Sequence, residues 1–181
     1  MDTIRDLSQT KNFISFFLPY LKGCGLDVGF GGRGALPTSI NIDFLNFEVK
    51  HGNDPQHLAG DATELYWFNT GVLDYVYSSH CLEDFLETEE VLIEWLRVLK
   101  VGGILALLLP DQQRFLKEAR RLRGDGDVGN GAHKHADFGL AYIKNIVKNL
   151  PVEILKEKEF FDRANEKHTE YNFAIILRKL K

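Results

Sequence analysis

Residues 25–44 constrain the fold most, because they place two strand-like segments on either side of a glycine-rich turn. The segments are GLDVG and SINIDF, and Gly29, Gly31, Gly32 and Gly34 end or follow the first of them. Glycine removes the side chain where a backbone bends sharply or lets a ligand come close. Ligands of open α/β sheets bind at the carboxyl ends of the strands. The pattern therefore predicts a binding site at the tip of the first strand.

Strand and helix patterns alternate along the rest of the chain, which has no internal repeat. This alternation predicts a mostly parallel sheet with helices on both faces. We expect Gly102 and Gly103 to end one helix and to lead into the next strand. The predicted strands are 25–29, 39–44, 57–61, 73–78, 104–110, 152–160 and 171–179. The predicted helices are 8–21, 63–69, 87–99, 111–123 and 137–150.

The composition limits the classes of protein and partner. A chain of 181 residues with 44% hydrophobic residues predicts one domain with a substantial core. A net charge of -4 favours neither nucleic acid nor an anionic membrane as a partner. Cys24 and Cys81 match no metal or redox spacing, and no signal peptide is recognised, so we expect a cytoplasmic protein with reduced thiols. The apolar run at 104–110 is too short to span a bilayer.

The short connection between the first two strands separates two classes of cofactor. Residues 30–38 contain three glycines and a proline, and a crossover with a proper helix needs at least about 10 to 12 residues. The pyrophosphate of a nicotinamide cofactor rests on the first turn of such a helix. The segment therefore disfavours a dinucleotide and is compatible with a ligand without phosphates, such as S-adenosylmethionine.

Ordered segments within residues 25–111 resemble the motifs of class I S-adenosylmethionine-dependent methyltransferases, and most closely a compact, type 11-like branch. These segments are LDVGFGG, INIDF, GDATEL, LDYVYSSHCLEDF and EWLRVLKVGGILALLLPD. The resemblance implies a Rossmann-like, doubly wound sheet of seven strands, mostly parallel with an antiparallel last strand, and a shortened first crossover. Arg33 occupies the position of the family's third glycine.

The resemblance also implies how a single domain divides its tasks along the chain. The expected parts are an N-terminal helix in 1–22, a cofactor-binding core in 25–111, substrate-covering helices and a loop in 112–150, and C-terminal strands in 151–181. The terminal strands are suited to the edge of the sheet, where they would support a homodimer. Small molecules are the expected partners, and neither nucleic acid nor a membrane is expected.

The same resemblance implies that four residues near the first turn bind S-adenosylmethionine. Gly29 and Gly31 would let the main chain reach the methionine end of the cofactor. Asp27 would face its ammonium group, and Asp43 would accept hydrogen bonds from the two ribose hydroxyls. A hydrogen bond to a charged group is worth about 1.5 to 3 kcal/mol. The alternative for each acid is a cap or turn residue.

Four further residues would surround the adenine ring and the sulfonium. Asp61 would accept from the adenine amino group, and Ala62 would offer its backbone N–H. Ser78 and Ser79 end the fourth predicted strand, beside the place where the methyl group leaves. For Asp61, too, a local turn role is the alternative.

Three histidines are candidates for the general base. A hydroxyl or amine acceptor must lose a proton during methyl transfer, and histidine accepts protons near neutral pH. His80 follows the fourth predicted strand, and His133 and His135 lie in the loop GDGDVGNGAHKHAD. A structural hydrogen bond, or packing on the edge of the adenine ring, is the alternative for His80. His-x-His alone is weak evidence for zinc, so we expect no metal.

A basic segment on the predicted helix 111–123 is the candidate contact for an acidic acceptor. Arg120 and Arg121 belong to this segment, which also contains Arg114, Lys117 and Arg123. Arginine binds phosphate groups well, so a sugar phosphate or nucleotide sugar is a suitable ligand. A solvated helix face is the alternative.

These observations predict a methyltransferase that transfers a methyl group from S-adenosylmethionine to an oxygen or nitrogen of a small acceptor. Sugars and nucleotide sugars are candidate acceptors, because the resembled branch often occurs near genes for polysaccharides and cell-surface sugars. A protein that binds the cofactor without turnover is the second hypothesis. An NAD-dependent oxidoreductase is the third, and the missing phosphate-binding helix disfavours it.

Overall fold

The computed structural model describes residues 9–44, 53–124, 132–161 and 171–181. The strands are β1 (Gly25–Val28), β2 (Ile40–Asp43), β3 (Leu58–Ala59), β4 (Leu73–Ser79), β5 (Leu99–Pro110), β6 (Val152–Phe161) and β7 (Tyr171–Lys179). The helices are α1 (Gln9–Phe17), α2 (Thr88–Val98), α3 (Gln112–Arg123) and α4 (Leu140–Val147), with a short 3-10 helix at Leu82–Asp84.

The seven strands form one sheet in the order β3-β2-β1-β4-β5-β7-β6. β1 pairs in parallel with β2 and β4, and the β2/β3 and β4/β5 pairs are parallel as well. The last strand, β7, runs antiparallel to both β5 and β6. This topology confirms the predicted Rossmann-like sheet, including its antiparallel last strand. The carboxyl ends of β1, β2 and β4 therefore share one edge of the sheet, where the glycine turn, Asp43 and Ser79 lie.

The core lies on both faces of the sheet, because successive residues of a strand point to opposite faces. On one face, Trp95 of α2 is fully buried against the sheet. On the other face, Phe17 of α1 packs edge-on against Tyr77 of β4, with ring centroids 5.2 Å apart. The helix at the start of the chain thus packs on the sheet and ends at Phe17, two residues before Pro19 and short of the predicted bound at residue 21.

The predicted helix at 63–69 was wrong, because this segment forms turns. Side chains of α2 provide the hydrogen bonds that a helix would have made within itself. Glu94 accepts from the amide of Leu65 at 2.8 Å, and Arg97 donates to the carbonyl of Phe68 at 2.9 Å. Trp95 Nε1 donates to the carbonyl of Ala62 at 2.8 Å. Tertiary contacts therefore override local helix propensity here.

The glycine pair near residue 102 lies inside a strand, so the prediction that it ends a helix was wrong. α2 already ends at Val98, and β5 begins at Leu99. Gly102 has a φ of +81°, and the pairing of β4 with β5 shifts between Leu73 and Tyr75. An irregular strand start of this kind uses glycine for its backbone freedom.

β6 lies at one edge of the sheet, where the sequence predicted a dimer contact. Its side chains include Glu153, Lys156, Glu157 and Lys158, all exposed. Charges on an edge strand oppose unintended pairing with another chain. The homodimer stays a prediction. In the ranges that the structure describes, no helix has the length and apolar character needed to cross a membrane.

Candidate functional site

The turn after β1 combines a left-handed backbone with very close packing. No helix lies between β1 and β2, which confirms the shortened crossover. Gly29, Gly31 and Gly32 have φ angles of +69°, +60° and +92°, a region that favours glycine. A Cβ at Gly29 would lie 2.6 Å from the sulfur of Cys81. Both the conformation and the available space therefore require glycine at position 29.

Asp43 ends β2 with its carboxylate directed at the glycine turn. Its Oδ2 accepts a hydrogen bond from the amide of Gly31 at 3.1 Å, and its Oδ1 accepts from the amide of Phe44 at 2.9 Å. Each carboxylate oxygen has two acceptor sites. The carboxylate can therefore hold the turn and still accept from two hydroxyl groups.

Asp27 is a buried acid in β1, and only 1% of it is exposed. Its Oδ2 accepts from the amide of Ala35 at 2.6 Å, whereas its buried Oδ1 has no hydrogen-bond partner among the described residues. The pKa of this carboxyl is raised to about 8. Burial is the largest cause, and the negative charges of Asp43 and Asp54 add to it. An ammonium group would supply both the missing donor and the compensating charge. The arrangement fits the predicted contact with the methionine end of the cofactor.

The turn after β3 contains Asp61 and Ala62, which the sequence predicted near adenine. Asp61 is exposed, and its Oδ1 accepts from the amide and the hydroxyl of Thr63 at 2.8 and 2.7 Å. The carbonyl of Ala62 accepts from Trp95. One carboxylate oxygen of Asp61 thus stabilises the turn, and the adenine contact stays a prediction.

Ser78 and Ser79 lie at the end of β4, beside the tip of β1. Ser78 pairs with Val28, and its buried hydroxyl donates to the carbonyl of Val28 at 2.9 Å. The hydroxyl of Ser78 therefore joins the two strands. Ser79 is partly exposed at the same edge of the sheet. Contacts of either serine with the cofactor stay predictions.

His80 and His133 meet at the carboxylate of Glu83. His80 has an unusual φ of +53°, and its amide donates to the carbonyl of Leu108 at 2.9 Å. Its Nδ1 lies 3.5 Å from Glu83 Oε1, and its buried Nε2 has no hydrogen-bond partner among the described residues. His133 Nε2 lies 3.7 Å from the same Glu83 oxygen. Two of the three predicted histidines therefore share one buried acid.

His135 lies apart from this pair and holds the loop against the start of α2. Its Nε2 lies 3.0 Å from the carbonyl oxygen of Phe85 and 3.2 Å from Thr88 Oγ1. Its ring also packs against Phe138 and Tyr142, with centroids 6.2 and 5.1 Å apart. These contacts are those of a structural histidine, and a catalytic role for His135 stays a prediction without geometric support.

Arg120 and Arg121 are exposed on the second half of α3, in a groove of about 600 Å³. The groove is lined by Gln113, Leu116, Lys117, Arg120, Arg121 and Ala136. Within the described part of the chain, no predicted cofactor residue contributes to this lining. The groove is therefore a separate basic surface, suited to a negatively charged group.

Comparison with known proteins finds one family model that matches the core. Residues 26–107 match the family model for a methyltransferase domain. The match supports the predicted resemblance to class I S-adenosylmethionine-dependent methyltransferases. S-adenosylmethionine is accordingly the cofactor of this methyltransferase domain, as its motifs predicted. A search of curated proteins finds no match.

Solved structures share the fold of almost the whole chain. A Pyrococcus horikoshii protein has a TM-score of 0.74 at 16% identity, with 97% of this chain and 94% of that chain covered. A Methanosarcina mazei S-adenosylmethionine-dependent methyltransferase has a TM-score of 0.66 at 19% identity, with 91% and 97% covered. A chain of a Haloferax volcanii complex, between the Trm112 methyltransferase activator and a methyltransferase, has a TM-score of 0.69 at 12% identity, with 99% and 98% covered. At such identities the likeness shows the fold alone.

Glu83 is the residue of this methyltransferase site that the sequence analysis missed. Only 1% of it is exposed, although buried carboxylates are uncommon unless they are paired. The available signal was its spacing, since Glu83 follows His80 by three residues in a short turn. Glu83 lies in the 3-10 helix Leu82–Asp84, and His80 lies just before this helix with a left-handed backbone.

Proposed function

We propose that this methyltransferase transfers the methyl group to an oxygen or nitrogen of a small acceptor, with sugars and nucleotide sugars as the acceptors to test first. One observation carries the proposal: His80 and the glycine turn lie at neighbouring strand tips. Val28 pairs with Ser78, so the residues that follow each of them leave the sheet side by side. The packing of Cys81 on Gly29 keeps these two segments in contact. An acceptor atom beside His80 therefore lies next to the cofactor.

Different residues bind the methionine and the ribose parts of the cofactor. Bound S-adenosylmethionine supplies a methyl group already activated by a sulfonium leaving group. Asp27 compensates the ammonium group, and Asp43 accepts from the ribose hydroxyls while it holds Gly31. Holding the acceptor in line with the methyl group can supply up to about 7 to 11 kcal/mol. The proton of the acceptor passes to His80, for which His133 is the nearby alternative.

The basic groove on α3 supports an acidic acceptor. Arg120, Arg121 and Lys117 line it together, and guanidinium groups bind phosphate oxygens in pairs. α3 begins directly after β5, whose partner β4 ends in the residues next to the methyl group. A sugar phosphate or a nucleotide sugar would bind with its phosphate in the groove and a hydroxyl near the cofactor.

Turnover tests this function directly. The experiment incubates the protein with methyl-labelled S-adenosylmethionine and a panel of sugars, sugar phosphates, nucleotide sugars and small amines, and measures transfer of the label. Calorimetric titration with S-adenosylhomocysteine and with NAD provides the binding control. Tight binding of S-adenosylhomocysteine without transfer to any acceptor would contradict the proposal and favour a non-catalytic binding protein. Binding of NAD alone would favour an oxidoreductase.

A further inference from the structure

We propose that Glu83 is the positioning residue of the base, and that it holds His80 with Nδ1 protonated so that Nε2 accepts the proton of the acceptor. His133 is the counter-charge that allows Glu83 to stay ionised in a buried place. The role of Glu83 in catalysis depends on the methyl transfer proposed above. The evidence for this role is the geometry around Glu83.

Glu83 lies in the 3-10 helix that directly follows β4, with 1% of it exposed. A buried carboxylate is costly unless other groups compensate its charge. Among the described residues, the rings of His80 and His133 approach Glu83 Oε1 to 3.5 and 3.7 Å, and the buried Oε2 has no hydrogen-bond partner there. These distances are longer than a formed hydrogen bond, and catalytic hydrogen bonds often shorten only when substrate binds.

The ring of His133 lies between two acceptor groups. Its Nδ1 lies 2.6 Å from Gln112 Oε1, and its Nε2 faces Glu83 Oε1. A ring with an acceptor at both nitrogens is satisfied only when both carry a proton. In the proposed arrangement both nitrogens of His133 carry a proton, and this charge offsets that of Glu83. The amide of Lys134 donates to the carbonyl of Glu83 at 3.0 Å, so the backbones of the two segments are joined as well.

His80 differs from His133 because only one of its nitrogens has an acceptor in the protein. Nδ1 faces Glu83, which favours the tautomer with the proton on Nδ1. Nε2 is buried and has no hydrogen-bond partner among the described residues, so its lone pair is available. The strained φ of +53° is the kind of conformation that persists where neighbours hold a residue in place for function. The bond to Leu108 supplies that restraint.

The proton balance of the step follows from this tautomer. The acceptor oxygen or nitrogen forms a bond to the methyl carbon, the bond between that carbon and sulfur breaks, and sulfur keeps the electron pair. The acceptor proton moves to Nε2 of His80. The resulting imidazolium lies beside the Glu83 carboxylate, which stabilises it.

Other ionisable groups near Glu83 contribute to the electrostatic potential at its carboxylate, so they must be considered in any experiment that varies pH. Cys81 and Asp84 lie in the same turn, and Lys134 approaches from the loop. Burial raises the pKa of the Asp84 carboxyl, and the negative charge of Glu83 raises it further. Burial also raises the pKa of the Cys81 thiol, so this group stays neutral.

Nitrogen NMR of the histidine rings tests the positioning role without any acceptor. In the wild-type protein saturated with S-adenosylhomocysteine, we expect His80 to show the tautomer protonated at Nδ1 and His133 to show the doubly protonated ring. Glu83→Gln, which has nearly the same shape, should abolish both states at pH 7. Glu89→Gln, a change of the same kind at an exposed site of α2, should leave both unchanged. Identical ring states in wild type and Glu83→Gln would overturn the proposal.

Kinetics with an acceptor found in the panel provide the second readout. Glu83→Gln should lower kcat about 100-fold and leave the affinity for S-adenosylhomocysteine unchanged. In the dependence of kcat on pH, it should move the acidic limb to lower pH. Glu83→Asp, which keeps the charge, should restore part of the rate. An unchanged kcat, or a rate loss with no shift of the profile, would contradict the role.

If wild type methylates no acceptor, the proposed function fails while the ring states still decide the role of Glu83. Should Glu83→Gln not fold, the wild-type ring states and Glu83→Asp decide.

Discussion

The carboxylate of Asp43 accepts a hydrogen bond from the amide of Gly31 at 3.1 Å, which joins the tip of β2 to the glycine turn after β1. One acid thereby shapes the backbone that approaches the cofactor and offers acceptor sites to it. The bond also explains how so short a crossover keeps a defined shape. A turn without a helix depends on side-chain acceptors for its amides, and Asp27 and Asp54 provide two more, for Ala35 and Gly34.

Replacing Asp43 tests the ribose contact. Asp43→Ala removes the acceptor, and a hydrogen bond to a charged group is worth about 1.5 to 3 kcal/mol. We expect the dissociation constant of S-adenosylhomocysteine to rise about 10- to 100-fold in calorimetric titration, with the fold intact. Asp54→Ala is the matched control, because Asp54 also accepts from a glycine amide of the turn, at 3.0 Å. Equal losses in both variants would mean that Asp43 acts only through the turn.

The buried carboxyl of Asp27 predicts how stability depends on pH. Its pKa is about 8 in the folded protein, against 3.8 for an exposed aspartate, because burial disfavours the charge. Between these values the unfolded chain has lost the proton and the folded chain has kept it. The ligand-free protein should therefore lose stability as pH rises from about 4 to 8, by up to about 1.4 kcal/mol per pH unit. Urea unfolding at several pH values measures this slope, and Asp27→Asn should reduce it.

Cofactor binding should reverse the protonation of Asp27. An ammonium group beside the carboxyl favours the ionised form, so binding near pH 7 should release a proton. Calorimetric enthalpies for S-adenosylhomocysteine, measured in buffers with different ionisation enthalpies, count that proton. Asp27→Asn should abolish the release. A proton count near zero in the wild-type protein would remove Asp27 from the ammonium site.

The fold was predictable from the sequence because its signals are local. The glycine turn, the acid at the end of β2 and the apolar strands each occupy a few consecutive residues, and the shortened crossover follows from a residue count. The errors arose where distant residues decide the conformation. Residues 63–69 look helical, but Glu94 and Arg97 of α2 bind their backbone groups.

The acceptor side of the site was less predictable for the same reason. Glu83 and His133 are far apart in the chain, and no local pattern indicates that their side chains meet. The strand-joining bond of Ser78 with Val28 also depends on which strands become neighbours. Residues within one motif can be assigned a role from the sequence. Contacts between residues far apart in the chain depend on the topology, and they require the structure.

Two histidine variants separate the catalytic from the structural histidine. His80→Asn keeps a residue that tolerates positive φ, so it removes the base without the backbone cost of alanine. We expect kcat to fall about 100-fold or more with unchanged affinity for S-adenosylhomocysteine. His135→Ala should lower the free energy of unfolding by about 1 to 3 kcal/mol, because it removes the shorter of the two contacts to the carbonyl of Phe85 and leaves only the 3.4 Å bond from Thr88 Oγ1. It should change kcat little. The opposite pattern would assign the base to His135.

The basic groove provides the test of the acceptor's charge. Arg120→Gln combined with Arg121→Gln removes two positive charges from the surface that also contains Lys117. For a sugar phosphate or nucleotide sugar we expect KM to rise about tenfold or more with kcat nearly unchanged, because the lost contacts bind substrate and transition state alike. A neutral sugar should show no such change, and Lys148→Gln, on the surface beyond α4, should be silent with either acceptor. An unchanged KM for every acidic acceptor would assign Arg120 and Arg121 to a solvated helix face.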